Sequence, residues 1–185
     1  MPDAPDRPGL VTLGHGTLDR DALGSLLTTA GIGLLVDVRR FPGSRNNPAV
    51  SRDALPGWLP EVGIDYRWEE RLGGRRTLPG DAEDLDTWWQ VAAFRAYAGY
   101  TRTPEFTAAL DDLLAEVAGR TNGRVAVMCS ESVWWRCHRR IIADVAVLGH
   151  HVEVRHLMHD GRLNEHNPSA GARRRPGGTL VWDGS

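Results

Sequence analysis

Short apolar runs alternate with amphipathic stretches along most of the chain. Near-continuous apolar runs are typical of strands that a parallel sheet buries on both faces. Strands are predicted at residues 10–13, 32–38, 65–68, 124–128 and 152–158. Between these strands, apolar residues recur with helical spacing. This spacing predicts a first helix from Thr17 or Asp19 up to Gly31. Further helices are predicted at residues 51–59, 85–97, 104–117 and 135–148, with a break near Gly99.

The alternation of strands and helices predicts a single-domain α/β fold. We expect a layered sandwich in which helices flank a mostly parallel central sheet, as in Rossmann-like folds. Residues 1–9 are polar and proline-rich, which favours a flexible lead-in, and residues 10–166 have the length of one domain. Residues 167–185 are rich in Pro, Gly and Arg and look like a tail, although residues 179–182 also fit an edge strand.

The composition limits the classes of protein. The apolar fraction of 41% is close to that of globular proteins, and no apolar run reaches the ~18–20 residues of a membrane span. The first ten residues carry acids and prolines where a signal peptide needs an apolar stretch. We therefore expect a cytoplasmic protein without membrane partners, whose two cysteines are thiols, metal ligands or catalytic groups rather than a structural disulfide. The oligomeric state is left open.

The charge favours a local interaction with anions. A formal net charge of −2 excludes the basic field of a bulk nucleic-acid binder. All 22 basic residues, however, are arginine, and each guanidinium is a planar donor that suits carboxylate or phosphate. A cluster of arginines can therefore recognise a phosphate-bearing small molecule or a nucleic acid despite the net charge.

Polar side chains collect where the predicted strands end. In parallel α/β sheets, ligands bind beyond the carboxyl ends of the strands. The residues that follow these ends, or begin the next helix, are His15, Asp37, Arg39, Ser44, Arg45, Cys129, Glu131, Cys137, His138 and Arg139. We expect them to converge at one edge of the sheet.

Several of these residues also fit a structural role. Asp37 and Arg39 point to the same side of a strand and fit a buried ion pair, while His15 fits the cap of a turn. Cys129 continues an alternating apolar strand and Cys137 begins a buried helical stripe, so both fit small core residues.

His138 and Arg139 provide the best local argument for a bound anion. Both lie in the first turn of a predicted helix, where the helix dipole disfavours cations. An anion at the free backbone N–H groups of that turn would offset this cost.

The two cysteines leave three kinds of chemistry open. Cys129, Cys137 and His138 fit a metal site with His15 or His156 as fourth ligand, but the C-x2-C hooks of structural zinc sites are absent, so neither a metal nor a cofactor is predicted. A thiolate at Cys129 fits a nucleophile, although the next arginine comes one residue later than in a C-x5-R phosphatase loop. A reversible disulfide between the cysteines is the third possibility.

Two tryptophan pairs, Trp88–Trp89 and Trp134–Trp135, stand within predicted helices or beside them. Neighbouring residues of a helix point in different directions, so one ring of each pair fits the core. The other ring, Trp135 in the second pair, is a candidate platform for stacking a base.

Five motifs, in this order, resemble the domain of unknown function 488 family. They are TLGHG (12–16), DVRRFPGSRNNP (37–48), LGG (72–74), FRAYAGYTRTPEF (94–106) and MCSE…CHRR (128–131 and 137–140). The resemblance covers about residues 10–160 and implies a compact α/β sandwich, but no reaction. It singles out the ten strand-end residues named above and adds Pro42 and Tyr97. Family members often have serine at the position of Gly16 and a shorter or less aromatic segment at residues 133–136.

The leading hypothesis is a small enzyme that acts on a phosphate-bearing ligand, either a nucleotide or a nucleic-acid base, and whether it catalyses a reaction is left open. The ligand would be bound by Arg39, Ser44, Arg45, Tyr97, Trp135 and Arg139. General acids or bases would come from Asp37, Glu131, His15 and His138, with Cys129 as nucleophile or pocket wall. One alternative is a non-enzymatic module that binds nucleic acid or a modified base. The other is a thiol redox or metal-binding protein that uses Cys129 and Cys137.

Overall fold

The computed structural model describes residues 9–184, which form a six-stranded sheet with helices on both faces. The strands are β1 (Leu10–Gly14), β2 (Ile32–Asp37), β3 (Asp65–Trp68), β4 (Arg124–Cys129), β5 (Val154–Leu157) and β6 (Leu163–Glu165). Their order across the sheet is β3-β2-β4-β1-β5-β6, and all neighbours are parallel except β5 and β6. This confirms the predicted α/β fold. The lead-in predicted at residues 1–9 lies outside the described residues apart from Gly9.

The helices are α1 (Arg20–Thr29), α2 (Leu55–Trp58), α3 (Ala92–Tyr100), α4 (Pro104–Gly119) and α5 (Arg139–His150). The side chain of Asp19 caps α1 by accepting a hydrogen bond of 2.9 Å from the backbone N–H of Ala22. The hydroxyl of Thr103 caps α4 in the same way, and Pro104 occupies its first turn. Both helix starts agree with the sequence prediction. None of the helices within residues 9–184 is long and apolar enough to cross a membrane.

The helix predicted at residues 85–97 is wrong in its first half, because α3 begins later. The carboxylate of Asp86 binds the guanidinium of Arg102 at 2.6 and 3.0 Å and accepts from the backbone N–H of Trp182 at 3.1 Å. The backbone N–H of Trp88 donates to the carbonyl of Trp182 at 2.9 Å. These tertiary hydrogen bonds hold the segment as a loop despite its helical spacing.

Two further helix boundaries differ from the prediction. The break predicted near Gly99 is absent, because α3 continues through this residue. A Cβ at this position would lie 2.3 Å from Cδ2 of Leu78, so the glycine leaves space for the leucine side chain. The helix predicted at residues 135–148 begins later as α5, after a 3-10 turn at Trp134–Arg136.

The carboxyl-terminal segment packs on the domain rather than forming a loose tail. β7 (Ala172–Arg174) and β8 (Leu180–Trp182) pair as an antiparallel hairpin that is separate from the main sheet, so the suggested edge strand does not extend that sheet. Trp182 is completely buried, and its indole N–H donates to Oδ2 of Asp144 in α5 at 2.8 Å. One large side chain supplies this contact, which a composition rich in Pro, Gly and Arg does not indicate.

The two faces of the sheet carry separate hydrophobic cores. Val125, Val127 and Cys129 of β4 belong to the core shared with α3, α4 and α5, whereas Ala126 and Met128 belong to the core shared with α1 and α2. This division follows from the alternation of side chains along a strand. It places the thiol of Cys129 on the α5 face, at the carboxyl end of β4.

Candidate functional site

The carboxyl ends of β1, β2 and β4 lie side by side. Gly14 at the end of β1 pairs with Cys129, and Asp37 at the end of β2 pairs with Met128. A cavity of about 350 Å³, here called the strand-end cavity, opens at this edge. Its wall includes Arg39, Arg40, Phe41, Arg75, Phe94, Tyr97, Cys129, Ser130, Glu131, Arg136, Cys137 and His138. This volume suits one small ligand.

A second cavity, of about 270 Å³, lies at the opposite edge of the sheet, where β1, β4 and β5 begin. Its wall includes Leu10, Arg124, Glu153 and Arg155, and the described residues of this wall provide no thiol, imidazole or aromatic ring. Ligands of open parallel sheets bind at the carboxyl ends of the strands. We therefore assign the candidate functional site to the strand-end cavity.

Asp37 and Arg39 form the buried ion pair that their spacing indicates. Nε of Arg39 donates to Oδ1 of Asp37 at 2.8 Å and Nη2 donates to Oδ2 at 2.6 Å. Asp37 also accepts from the backbone N–H of Arg39 at 3.1 Å and from the hydroxyl of Tyr66 at 2.8 Å. Burial, and then the charge of Asp37, raise the pKa of Tyr66, which keeps this hydroxyl a donor. Four donors occupy the carboxylate, so Asp37 positions Arg39 and is not free to act as general acid or base.

His15 is buried and does not line the strand-end cavity. Its Nδ1 donates to the carbonyl of Gly16 at 3.0 Å, and its Nε2 accepts from Nη1 of Arg39 at 3.2 Å. Burial, and then the charge of Arg39, lower the pKa of His15, so the imidazole is neutral and accepts this hydrogen bond. The carbonyl of Val50 accepts from Nη2 of Arg39 at 2.7 Å. His15 therefore helps to orient the guanidinium rather than contacting a ligand.

Cys129 and Cys137 face each other on the cavity wall. Their Sγ atoms are 2.7 Å apart, and both cysteines are free. Sγ of Cys137 also lies 3.5 Å from Nδ1 of His138 and 3.5 Å from Nε of Arg139. The pair thus combines two thiols with one imidazole and one guanidinium at the start of α5.

The two thiols have opposite pKa shifts. Burial opposes ionisation of Cys137, but the hydrogen bond with Cys129 and the charges of His138 and Arg139 lower its pKa well below the usual value. Burial, and then the neighbouring Cys137, raise the pKa of Cys129 well above the usual value. These shifts favour ionisation of Cys137 over Cys129, because His138 and Arg139 both lie beside the sulfur of Cys137. Assignment of the thiolate to Cys129 from the sequence is not supported.

His138 has a fixed orientation between the strand and the thiols. Its Nε2 donates to the carbonyl of Val38 at 3.0 Å, which leaves Nδ1 directed toward Cys137. Its ring lies edge-on to that of Tyr97, with centroids 5.1 Å apart. The hydroxyl of Tyr97 donates to the carbonyl of Leu72 at 2.6 Å, so this residue offers its ring, not its hydroxyl, to the cavity.

Arg139 forms hydrogen bonds with both the loop after β4 and the thiol of Cys137. It is only 1% exposed and does not line the cavity. Its Nε donates to Sγ of Cys137 and its Nη2 donates to the carbonyl of Glu131. These two acceptors occupy the guanidinium that stands in the first turn of α5, where the helix dipole disfavours a cation. The expected contact between Arg139 and a bound ligand is not supported by this geometry.

Glu131 reaches the cavity, whereas three other predicted site residues do not line it. Oε1 of Glu131 accepts from the backbone N–H of Val133 at 3.1 Å. The hydroxyl of Ser44 accepts from a backbone N–H at 3.0 Å, and Arg45 is exposed. Trp135 is 48% exposed and lies away from the cavity wall.

Sequence reasoning missed three cavity arginines, Arg40, Arg75 and Arg136. Nη1 of Arg40 donates to the carbonyl of Arg75 at 2.6 Å, and both guanidinium groups lie over the ring of Phe41, at 5.4 and 5.9 Å from its centroid. None of the three arginines forms an ion pair with a carboxylate within residues 9–184. The signal in the sequence for Arg40 and Arg75 is the arginine content of two polar loops, residues 39–48 and 71–84, whereas Arg136 lies in the segment between Cys129 and Cys137.

The metal set considered from the sequence is not assembled. Within residues 9–184, no group of three or more His, Cys, Asp or Glu side chains is placed to hold a metal ion. The chemistry that the described cavity wall offers is that of guanidinium groups, a thiol pair, the imidazole of His138 and the carboxylate of Glu131.

These features define a class: an α/β protein with an arginine-rich, thiol-containing cavity at the carboxyl ends of parallel strands. The chain belongs to the family described as Domain of unknown function DUF488, whose model matches residues 19–146. This confirms the family resemblance seen in the sequence. Four of the five motifs lie inside the matched range, and TLGHG (12–16) precedes it. No curated protein and no solved structure matches the chain.

Proposed function

We propose that the strand-end cavity binds a phosphate-bearing ligand of nucleotide size. The observation that carries this proposal is the group of three cavity arginines, Arg40, Arg75 and Arg136, which have no carboxylate partner among the described residues. A guanidinium without such a partner can form bidentate hydrogen bonds with phosphate oxygens. Arg39 lines the same wall, but Asp37 already compensates its charge.

A base fits the aromatic part of the same cavity. Phe41 is 62% exposed, and Phe94 and Tyr97 also line the wall. Aromatic rings stack on nucleic-acid bases with little selectivity among them. Phosphate donors and stacking surfaces within about 350 Å³ favour a single nucleotide.

The charge of the chain favours a free nucleotide over a nucleic-acid strand. A net charge of −2 provides no general attraction for the phosphates of a polymer. The exposed ring of Trp135, outside the cavity, is the observation that supports a nucleic-acid binding module as second candidate. In that case an extruded base with its phosphate would occupy the cavity.

Glu131 is the carboxyl group of the cavity wall that is placed to transfer a proton to or from the ligand, whereas the imidazole of His138 contacts Val38 and Cys137. Its carboxylate accepts a single hydrogen bond from within residues 9–184, at the exposed end of the wall. Asp37 and His15 are instead engaged with Arg39. We assign the general acid or base role to Glu131 on this ground.

The test is a titration of nucleoside monophosphates against the wild type and single alanine variants. Arg136→Ala and Arg75→Ala each remove one cavity guanidinium, and we expect each to weaken binding at least about tenfold, since a hydrogen bond to a charged group contributes about 1.5–3 kcal/mol. Arg45→Ala is the matched control, because it removes an exposed arginine outside the cavity wall.

Two results would overturn the proposal. One is binding that both cavity variants leave unchanged. The other is an equal loss of affinity in the Arg45→Ala control, which would move the phosphate contacts to the loop at residues 39–48. Tighter binding of single-stranded oligonucleotides than of nucleotides, lost on Trp135→Ala, would favour the nucleic-acid module.

A further inference from the structure

We propose that Cys129 and Cys137 form a thiol–disulfide exchange site that reduces small disulfides carrying anionic groups. The choice of anionic substrates rests on the same arginines as the proposed function, whereas the exchange chemistry rests on the two thiols alone. The proposal assigns a redox activity to the strand-end cavity, in addition to nucleotide binding.

The first support is the geometry of the two sulfur atoms. A disulfide has an S–S bond of about 2.05 Å, and the Sγ atoms of Cys129 and Cys137 are already 2.7 Å apart. Cys129 stands at the end of β4, and Cys137 lies two residues before α5. Little movement of either backbone is therefore needed to close and open the bond.

The second support is the difference between the two thiols. The attacking group in disulfide exchange is a thiolate, and low-pKa thiols lie beside histidine or arginine. Cys137 has both neighbours, His138 through Nδ1 and Arg139 through Nε, each at 3.5 Å. Sγ of Cys129 lies next to Sγ of Cys137, the sulfur that would be attacked in the second step. Cys137 is therefore the nucleophile, and Cys129 is the resolving thiol.

The third support is the position of the pair on the wall of a cavity. Both sulfur-bearing residues line the strand-end cavity, so a small molecule can reach them although each is mostly buried. Arg40, Arg75 and Arg136 line the same cavity and attract a substrate with carboxylate or phosphate groups. Protein disulfides are too large for a cavity of about 350 Å³.

The reaction balances in two steps. The thiolate of Cys137 attacks one sulfur of a small disulfide RS–SR, forming a mixed disulfide and releasing RS⁻. Cys129 then loses its proton and its sulfur attacks Sγ of Cys137, forming the Cys129–Cys137 disulfide; the second group leaves as RS⁻ and takes up that proton to become RSH. The substrate is reduced and the protein is oxidised by two electrons. A small monothiol, as a second substrate, reduces the protein by the reverse pair of steps.

The test uses reduced full-length protein, with oxidised glutathione as an anionic disulfide and cystamine as a cationic control. Intact mass and free-thiol counting follow the reaction. We expect the wild type to form the internal disulfide, roughly tenfold faster with oxidised glutathione than with cystamine at low salt. Cys129→Ser should stop at a mixed disulfide on Cys137, and Cys137→Ser should be unreactive. Arg136→Ala should reduce the preference for the anionic reagent.

The outcomes separate this inference from the proposed function. Failure of the wild type to form an internal disulfide would overturn the exchange site whether or not nucleotides bind. Reaction of Cys137→Ser in place of Cys129→Ser would overturn the assignment of Cys137 as the nucleophile. Equal rates with the two reagents would overturn the anionic substrate class. Formation of the internal disulfide with the expected preference, without nucleotide binding, would support the exchange site and refute the proposed function. The wild-type comparison does not depend on the folding of the serine variants.

Discussion

Nη2 of Arg39 donates a hydrogen bond of 2.6 Å to Oδ2 of Asp37, and both side chains are buried where β2 ends. Removal of one member of a buried ion pair leaves the other charge without compensation, which costs about 3–5 kcal/mol. The ion pair between Asp37 and Arg39 therefore stabilises the edge of the sheet at which the strand-end cavity lies, and its first role is to hold Arg39 in place.

We expect Asp37→Asn to lower the free energy of unfolding by about 3 kcal/mol, because Arg39 would remain buried without its counter-ion. Urea unfolding followed by circular dichroism measures this change. The matched control is Asp53→Asn, since Asp53 pairs with Arg52 at 3.8 Å on the exposed surface and should change stability by less than about 1 kcal/mol. Full stability of Asp37→Asn, with loss of a ligand-dependent reaction, would instead restore Asp37 as a general acid or base.

The loop after β4 packs closely against Gly14, where there is no space for a side chain. A Cβ at this position would lie 1.7 Å from the carbonyl oxygen of Glu131 and 2.8 Å from Nη2 of Arg139. We expect Gly14→Ala to lower the free energy of unfolding by about 2–3 kcal/mol through this overlap, and to displace the loop that carries Glu131. Thermal unfolding measures the first effect, and altered reactivity of Cys137 toward iodoacetamide measures the second.

Gly43→Ala is the control for this variant, because a Cβ at Gly43 meets nothing within 4 Å. We expect it to stay within about 0.5 kcal/mol of the wild type. Equal stability of the two variants would show that the loop does not contact Gly14 as the structure describes.

A buried chain of polar groups connects β1 to α5. The hydroxyl of Thr12 lies 2.6 Å from Nδ1 of His156, Nε2 of His156 lies 2.9 Å from Nδ1 of His166, and Nε2 of His166 donates to Oδ1 of Asp144 at 2.8 Å. The ring of Trp134 stacks on His156 with centroids 4.0 Å apart. Burial, followed by the charges of His166 and Arg139, lowers the pKa of His156 to about 3.

This pKa makes stability depend on pH in a defined direction. The unfolded chain binds a proton at His156 below about pH 6.5, whereas the folded chain does so only near pH 3. The contribution of neutral His156 to the free energy of unfolding is therefore fully present above pH 6.5. It falls between pH 6.5 and 3, by at most about 1.4 kcal/mol per pH unit. We expect the wild type to lose about 1 kcal/mol more than His156→Gln between about pH 7.5 and about pH 5.5.

Urea unfolding at the two pH values measures this difference. His150→Ala, which removes an exposed imidazole at the end of α5, should keep the dependence of the wild type. The same pH dependence in His156→Gln would contradict the assignment of this proton uptake to His156.

The hairpin of β7 and β8 stabilises the domain through Trp182. Its buried indole lies among the side chains of the α5 core, and Asp144 and Asp86 accept its ring and backbone N–H groups. We expect Trp182→Ala to lower the free energy of unfolding by about 3–5 kcal/mol. Thr179→Ala, at an exposed position in the turn before β8, should have almost no effect. Thermal unfolding compares the two, and an unchanged midpoint for Trp182→Ala would show that the hairpin is dispensable.

The sequence predicts the sheet well because its strands carry their own signal. Residues 32–36 and 125–129 are apolar on both faces, and this pattern is typical of central parallel strands. The strand-end rule then brings the segments of Asp37 and Cys129 to one edge, and the spacing of Asp37 and Arg39 indicates their ion pair. These inferences depend only on local periodicity and on the handed, parallel connections of α/β folds.

The cavity wall depends instead on contacts between distant loops. Arg75 reaches the wall because Gly73 packs against the backbone of Arg40, where a Cβ would lie 2.8 Å from Cα, and because Tyr97 binds the carbonyl of Leu72. No periodicity encodes these contacts. Likewise, the sequence patterning of the two cysteines does not show which sulfur has the stronger cationic neighbours. In the structure, His138 and Arg139 each lie 3.5 Å from Sγ of Cys137.

The most direct test of phosphate binding compares a nucleoside monophosphate with its parent nucleoside by isothermal titration calorimetry on the wild type. We expect saturable binding of the nucleotide at one site per chain, at least about tenfold weaker binding of the nucleoside, and a preference that shrinks as salt rises. Equal affinity for the two compounds, or no binding of either, would contradict the proposal that Arg40, Arg75 and Arg136 form a phosphate site.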